Sequence, residues 1–174
     1  MTTHPLGRPA PDEYAQFYAN YISLVPDGDV LKSLRRQRKD TEKLLGGISE
    51  SKAGHRYLPD KWSIKGVVGH VVDAERVFGY RALSIGRGDT TPLPGFDEKS
   101  WAQGANFDDR TLKDLVKEYG WVREATLALF HALPEGAWSR RGTANNWPVT
   151  VRALAWIIAG HERHHLKVLQ ERYL

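Results

Sequence analysis

The stretch VTVRALAWIIAGHERHH, residues 149–165, decides how this chain is read. Thr150 suits a helix N-cap, and the apolar run behind it predicts a helix reaching about Arg172. At about 100° per residue, Leu154, Ile158, His165 and Val168 fall within about 60° of His161, whereas Arg152, Arg163 and Gln170 fall on the far side. His161 and His165, four residues apart, therefore share the middle of a core-facing stripe. A buried imidazole needs partners for its ring nitrogens, and one metal ion satisfies a nitrogen on each of two stacked rings. Trp156 projects away from this stripe, which predicts burial by a loop or by a partner subunit.

Working outward, the segment KWSIKGVVGHVVDAER, residues 61–76, carries the third histidine. Ser63 is the expected N-cap of a helix running to about Ile85, closed by Gly86-Arg-Gly88. It is apolar on more than one side, as expected of a mostly buried helix. His70 projects with Val67, Ala74, Val77 and Phe78 and so faces inward as well. His70, His161 and His165 would form a facial three-nitrogen site for one divalent metal, leaving positions for water or substrate. Zinc or nickel suits such a site first, with iron, cobalt and manganese as further candidates.

Two more helices are expected. One runs from about Val30 to Leu45, after an Asp cap in Pro26-Asp27-Gly28-Asp29 and before Gly46-Gly47. The other keeps helical period from Leu112 to Leu133, with Asp108 or Asp109 as its cap. The fold class is all-α: a four-helix bundle with long connecting loops, forming a single domain over residues 1–174. Residues 1–27 are a lead-in packed on the bundle, in which Asp12 to Val25 forms a short aromatic-rich helix or turn. Residues 86–108 read as a long loop without periodicity, and no strand-like alternation is found anywhere. Connections of this length allow crossovers rather than simple hairpins. Four of the six tryptophans lie in loops or at helix starts, where the default role is packing the long connections onto the bundle.

Asp73 and His164 sit at the edges of the histidine stripes, and Glu162 follows His161 directly. Each is a candidate for acid–base work or for bracing a ligand; the bland reading is a carboxylate contact for His164 and a salt bridge for Glu162. Glu75 points further away. Arg81, on the inner face of its helix, either binds an anionic substrate group or pairs with a carboxylate. His4, His55 and His131 are assigned to the surface or to helix ends.

Composition narrows the function. There is no cysteine, so thiolate metal sites and cysteine nucleophiles are excluded, and any thiol chemistry needs a substrate thiol. The formal charge is only +4, and the basic run Lys32 to Lys39 is flanked by Asp29, Asp40 and Glu42; it reads as a solvated helix face, not a nucleic-acid surface. No run approaches the ~20 apolar residues of a membrane span, and the N-terminus lacks the apolar core of a signal peptide, so a cytoplasmic protein is expected.

The two quoted stretches, together with Pro94-Gly-Phe-Asp97 and Arg141-Gly-Thr143, resemble the DinB/YfiT-like superfamily of metalloenzymes from about Tyr14 to Tyr173. The helix start W-S followed by a histidine at Ser63 plus seven, combined with the terminal HxxxH, is the specific part. The resemblance implies a four-helix bundle, often a homodimer, with a divalent metal on His70, His161 and His165. It implies a small-molecule substrate; characterised relatives include thiol-dependent transferases and isomerases as well as hydrolases. The expected function is thus a metal-dependent enzyme, with thiol-dependent S-transferase-like chemistry on a small electrophile ahead of hydrolysis by a metal-bound hydroxide. A non-catalytic, stress-related metal-binding bundle is the remaining alternative.

Overall fold

The structure is a computed structural model and describes residues 7–174; His4 lies outside the described residues. Among the described residues, seven α-helices and one hairpin follow in chain order: α1 (Ala19–Ser23), α2 (Val30–Gly46), α3 (Glu50–Ala53), α4 (Ile64–Gly86), α5 (Glu98–Gly104), α6 (Leu112–His131), β1 (Arg141–Ala144), β2 (Trp147–Thr150) and α7 (Val151–Arg172). The four long helices α2, α4, α6 and α7 build the bundle. Each starts at a side-chain cap that satisfies an otherwise unpaired backbone N–H, worth about 1 kcal/mol. Asp29 accepts from Leu31 and Lys32, Ser63 from Gly66, Thr111 from Asp114 and Thr150 from Ala153.

Helix α4 packs against α6 and α7, and α2 packs against the same two. Helices α2 and α4 are therefore diagonal, as are α6 and α7. The chain crosses the bundle twice, between α2 and α4 and between α6 and α7, whereas the longest connection joins the neighbours α4 and α6 and carries α5. Between the helices lies a core that includes Leu34, Phe78, Phe130, Leu154 and Ile157.

Three sequence expectations are corrected. The segment after Gly86 is not uniformly loop: Asp97 accepts from the backbone amides of Lys99 and Ser100 and starts the two-turn helix α5. Helix α6 begins at Thr111 rather than Asp108 or Asp109, because Asp108 is already held by Arg56 and the Ser63 hydroxyl within a 3₁₀ turn over Phe107–Asp109. A hairpin exists where no strand was expected. Asn145 and Asn146 both take positive φ (51° and 65°), the conformation of a two-residue hairpin turn, and they close four-residue strands too short to display alternation. Leu93 bonds to this hairpin through Thr143 and Asn145, which docks the start of the α4–α6 connection.

Part of the segment before α2 contacts α7. Arg8 donates to the carbonyls of Ile22 and Val25 and lies over the Trp156 ring, 4.8 Å from its centroid. Trp156 is thus covered by its own chain, the loop alternative of the two expected. Gly160 permits this closeness: a Cβ there would stand 2.1 Å from the carbonyl oxygen of Tyr21. The absence of a side chain lets α1 lie on the backbone of α7, one residue before His161.

Candidate metal centre

Helix α4 supplies His70, and α7 supplies His161 and His165. Their nitrogens converge: Nε2 of His161 is 3.1 Å from Nε2 of His70 and 3.1 Å from Nε2 of His165, and donor atoms of all three lie within 4.8 Å of one another. His70 and His161 are buried and His165 is partly so. Aromatic rings wall the cluster: Trp62 lies against His70, Phe78 and Tyr21 against His161, and Tyr21 also against His164.

Burial keeps these imidazoles uncharged. Desolvation pushes the pKa of His70 down to about 4 and, with repulsion from His70 and His164, that of His165 down to about 3. Desolvation, then the neighbouring histidines, holds His161 well below its ordinary value. A neutral imidazole is the ligand form.

Hydrogen bonding alone leaves the cluster unsatisfied. Nε2 of His161 carries either one proton or one lone pair, yet it faces two other Nε2 atoms. One cation would satisfy all three nitrogens. Two ligands bonded to one ion at ~2.0–2.1 Å stand ~3.0–3.4 Å apart, which the two 3.1 Å separations match. The three histidines could therefore hold a metal ion.

A cavity of about 760 Å³ opens on His165 and His164, with Trp62, Lys99, Gln103 and Tyr173 among its walls. This lies within the size range of small-molecule sites. On the other side of α5 a smaller cavity of about 330 Å³ is lined by Tyr80, Phe96, Trp101 and Asp73.

The three candidate acid–base residues occupy different surroundings. His164 borders the large cavity beside His165, with its pKa lowered by burial and by Lys167. Asp73 faces the smaller cavity, 3.4 Å from Arg76, and burial raises its pKa. Glu162 turns away from the histidines into the centre of the bundle. There it accepts from Gln37 (2.8 Å), Thr41 (2.5 Å), Tyr119 (2.6 Å) and Arg123 (2.7 Å). Arg123, fully buried, also grips Glu75 through two 2.8 Å bonds and donates to the Leu34 carbonyl. Gln37 and Thr41 belong to α2, Glu75 to α4, Tyr119 and Arg123 to α6, and Glu162 to α7. One polar cluster thus ties all four bundle helices together beside the histidine pair.

Sequence reasoning foresaw a salt bridge as one role for Glu162, but it missed Arg123, Gln37, Thr41 and the inward turn of Glu75. The available signal was a polar residue on an apolar helix face, four times over. It also missed Glu98, the first residue of α5, whose Oε2 lies 3.9 Å from Nε2 of His70. No periodicity connects a short helix in a long connection to a histidine 28 positions earlier. Arg81 donates to the Pro94 carbonyl at 2.7 Å and so anchors the loop leading into α5.

Fold and cluster together define a helical bundle whose core carries an inward-facing His₃ constellation. The chain belongs to the DinB superfamily, whose sequence profile matches residues 33–169. Among solved structures it is similar to YfiT from Bacillus subtilis, described as a probable metal-dependent hydrolase with an unusual four-helix bundle topology. The TM-score is 0.71 and the identity 17%, over 97% of this chain and 93% of that one. At that identity the likeness is one of fold. A comparison with curated proteins finds no match. Among the described residues, no helix is long and apolar enough to cross a membrane.

Proposed function

We propose that His70, His161 and His165 bind one divalent cation and that the chain is a metal-dependent hydrolase acting on a small molecule in the cavity beside His165. The observation that carries this reading is the convergence of three uncharged imidazole nitrogens, with His165 among them at the wall of a cavity of about 760 Å³. A divalent cation on three neutral ligands keeps its full charge, and supplies the Lewis acidity that lowers the pKa of water or of a thiol and polarises a carbonyl.

The residues of the chain do the rest. The histidines stay uncharged because burial opposes their protonation. Trp62, Phe78 and Tyr21 keep bulk water from the inner side of the cluster. His164, at the cavity wall, is placed to exchange a proton with a bound molecule. Glu162 and Arg123 hold α7 in register, so that His161 and His165 keep their spacing to His70.

Thiol-dependent S-transfer is the second reading. It is favoured by the cavity volume, which leaves room for a thiol beside a small electrophile. The absence of cysteine means that this thiol would come from a cosubstrate.

The test is elemental analysis of untagged wild type beside His161→Ala, followed by turnover assays. About one divalent ion per chain, lost in the variant, is expected. Metal-dependent ester or amide cleavage without added thiol supports hydrolysis; turnover that requires a thiol supports transfer. Absence of metal from both proteins, together with failure to take up added Zn²⁺, refutes the reading.

A further inference from the structure

Arg81, in the wall of the smaller cavity, is a buried cation without a counter-charge. It is 3% exposed, and an arginine stays protonated even when buried. Buried charges are ordinarily paired, because leaving one uncompensated is costly. Among the described residues, no carboxylate stands within ion-pairing distance of the Arg81 guanidinium. Its Nη2 donates to the Pro94 carbonyl at 2.7 Å, and the guanidinium lies 5.7 Å from the centre of the Phe78 ring; these neutral groups offset the charge only in part. Tyr18 does not supply the missing charge, because burial pushes its pKa up and keeps it a neutral phenol. The other charges nearby are placed elsewhere. Asp73 and Arg76 pair at 3.4 Å, Arg76 also meets Glu118 at 2.6 Å, and Glu98 stands beside His70. Anchoring the Pro94 carbonyl needs only an N–H donor, which a neutral side chain could provide, so the charge itself is unexplained by the fold.

The cavity has a volume of about 330 Å³, enough for a small molecule. Its apolar wall is made by Val77, Tyr80, Leu93, Phe96 and Trp101. Tyr80 and Trp101 are 58% and 48% exposed, so their aromatic faces are left open rather than covered by the chain. The wall is also fixed in place. Leu93 bonds to the hairpin, and Phe96 packs on Trp101 with ring centroids 5.0 Å apart. A Cβ on Gly95 would stand 2.2 Å from Oδ1 of Asn145, so this loop lies directly on the hairpin turn. A pre-formed cavity spares a ligand the cost of ordering its walls.

We infer that this cavity is a second small-molecule site, one that takes a monoanion with an apolar body. The carboxylate of the ligand pairs with Arg81, and the body lies among Val77, Tyr80, Leu93, Phe96 and Trp101. One unbalanced cation selects a single negative charge, and the planar guanidinium suits a carboxylate. The inference does not depend on a metal at the histidines.

The experiment titrates 4-phenylbutyrate and its uncharged primary amide into wild type, Arg81→Gln, Trp101→Ala and His161→Ala. Calorimetry gives the affinities, and the indole N–H resonance of Trp101 reports the location. Wild type is expected to bind the acid at least ~10-fold more tightly than the amide, as a charge-assisted hydrogen bond provides, with a shift of the Trp101 resonance. Arg81→Gln keeps a donor for the Pro94 carbonyl and should bind the two probes equally. Trp101→Ala should weaken both by about 3–10-fold and keep their ratio, which tests the site even if Arg81→Gln fails to fold. His161→Ala should leave both affinities unchanged, which separates this site from a carboxylate bound to a metal. Equal affinity of wild type for acid and amide, loss of acid binding in His161→Ala, an unmoved Trp101 resonance, or no binding of either probe up to about 10 mM would each overturn the inference.

Discussion

Replacing Arg123 with methionine tests what holds the bundle in register around the histidines. Methionine keeps much of the apolar length and removes all four of the hydrogen bonds that the guanidinium makes. Two go to Glu75 at 2.8 Å each, one to Glu162 at 2.7 Å and one to the Leu34 carbonyl at 3.1 Å. Removing one partner of a buried ion pair costs about 3–5 kcal/mol, most of it from the charge left behind. Here two carboxylates, both almost fully buried, lose their shared cation, so the upper end, about 5 kcal/mol, is expected. That is a large part of the ~5–15 kcal/mol that keeps a domain folded. For a chain of this size it corresponds to a fall in Tm of about 10–20 °C. Urea unfolding, read by circular dichroism, gives the free energy and the m-value. A double-mutant cycle with Glu75→Gln gives the coupling, which should reach about 2 kcal/mol or more because the two changes remove the same bonds. A loss below about 1.5 kcal/mol with unchanged m, or additive single-mutant costs, would refute the claim that this cluster fastens the four helices.

Acidification should destabilise the metal-free protein through the buried histidines. Their ordinary pKa of 6.5 applies in the unfolded chain, whereas folding lowers it to about 4 for His70 and about 3 for His165. Between those values the unfolded chain binds protons that the folded chain does not, so stability is complete above pH 6.5 and falls as the pH drops toward 4 and 3. Urea midpoints at several pH values check this, and His70→Gln should flatten the slope; a midpoint independent of pH in the wild type contradicts it. Two glycine substitutions should move stability in opposite directions. Gly160→Ala places a methyl group 2.1 Å from the Tyr21 carbonyl, and should cost about 1–3 kcal/mol, partly offset by better helix propensity. Gly79→Ala, in α4 with nothing within 4 Å of the new Cβ, should gain about 0.5–1 kcal/mol. Calorimetric melting distinguishes them, and a stabilised Gly160→Ala would mean that α1 does not press on α7.

The four long helices were legible because each rests on local physics. An apolar face with helical period is written within about 25 residues in each, joined by a legible cap in α2, α4 and α7 and by a terminating glycine or proline segment in all but α7. The orientation of His70, His161 and His165 follows from the same period, since three positions on apolar stripes turn inward wherever the bundle packs. Where such local signals were short or competing, the reading went astray. Asp97 starts a helix of only seven residues, and Asp108 had two strong tertiary partners that removed it as a cap. The hairpin had a signal in Asn145-Asn146, but its strands were too short to reveal a period.

What the sequence determined by itself is therefore the set of helices and the faces they bury, because those depend on neighbours within a turn or two along the chain. Which helices lie side by side was left to the tertiary structure. So were the closure of Glu75, Arg123 and Glu162 into one cluster across α4, α6 and α7, and the approach of Glu98 to His70. Such contacts join residues tens of positions apart, and their distances are set by packing and by the hydrogen bonds that buried charges must find, not by any spacing that a single segment carries.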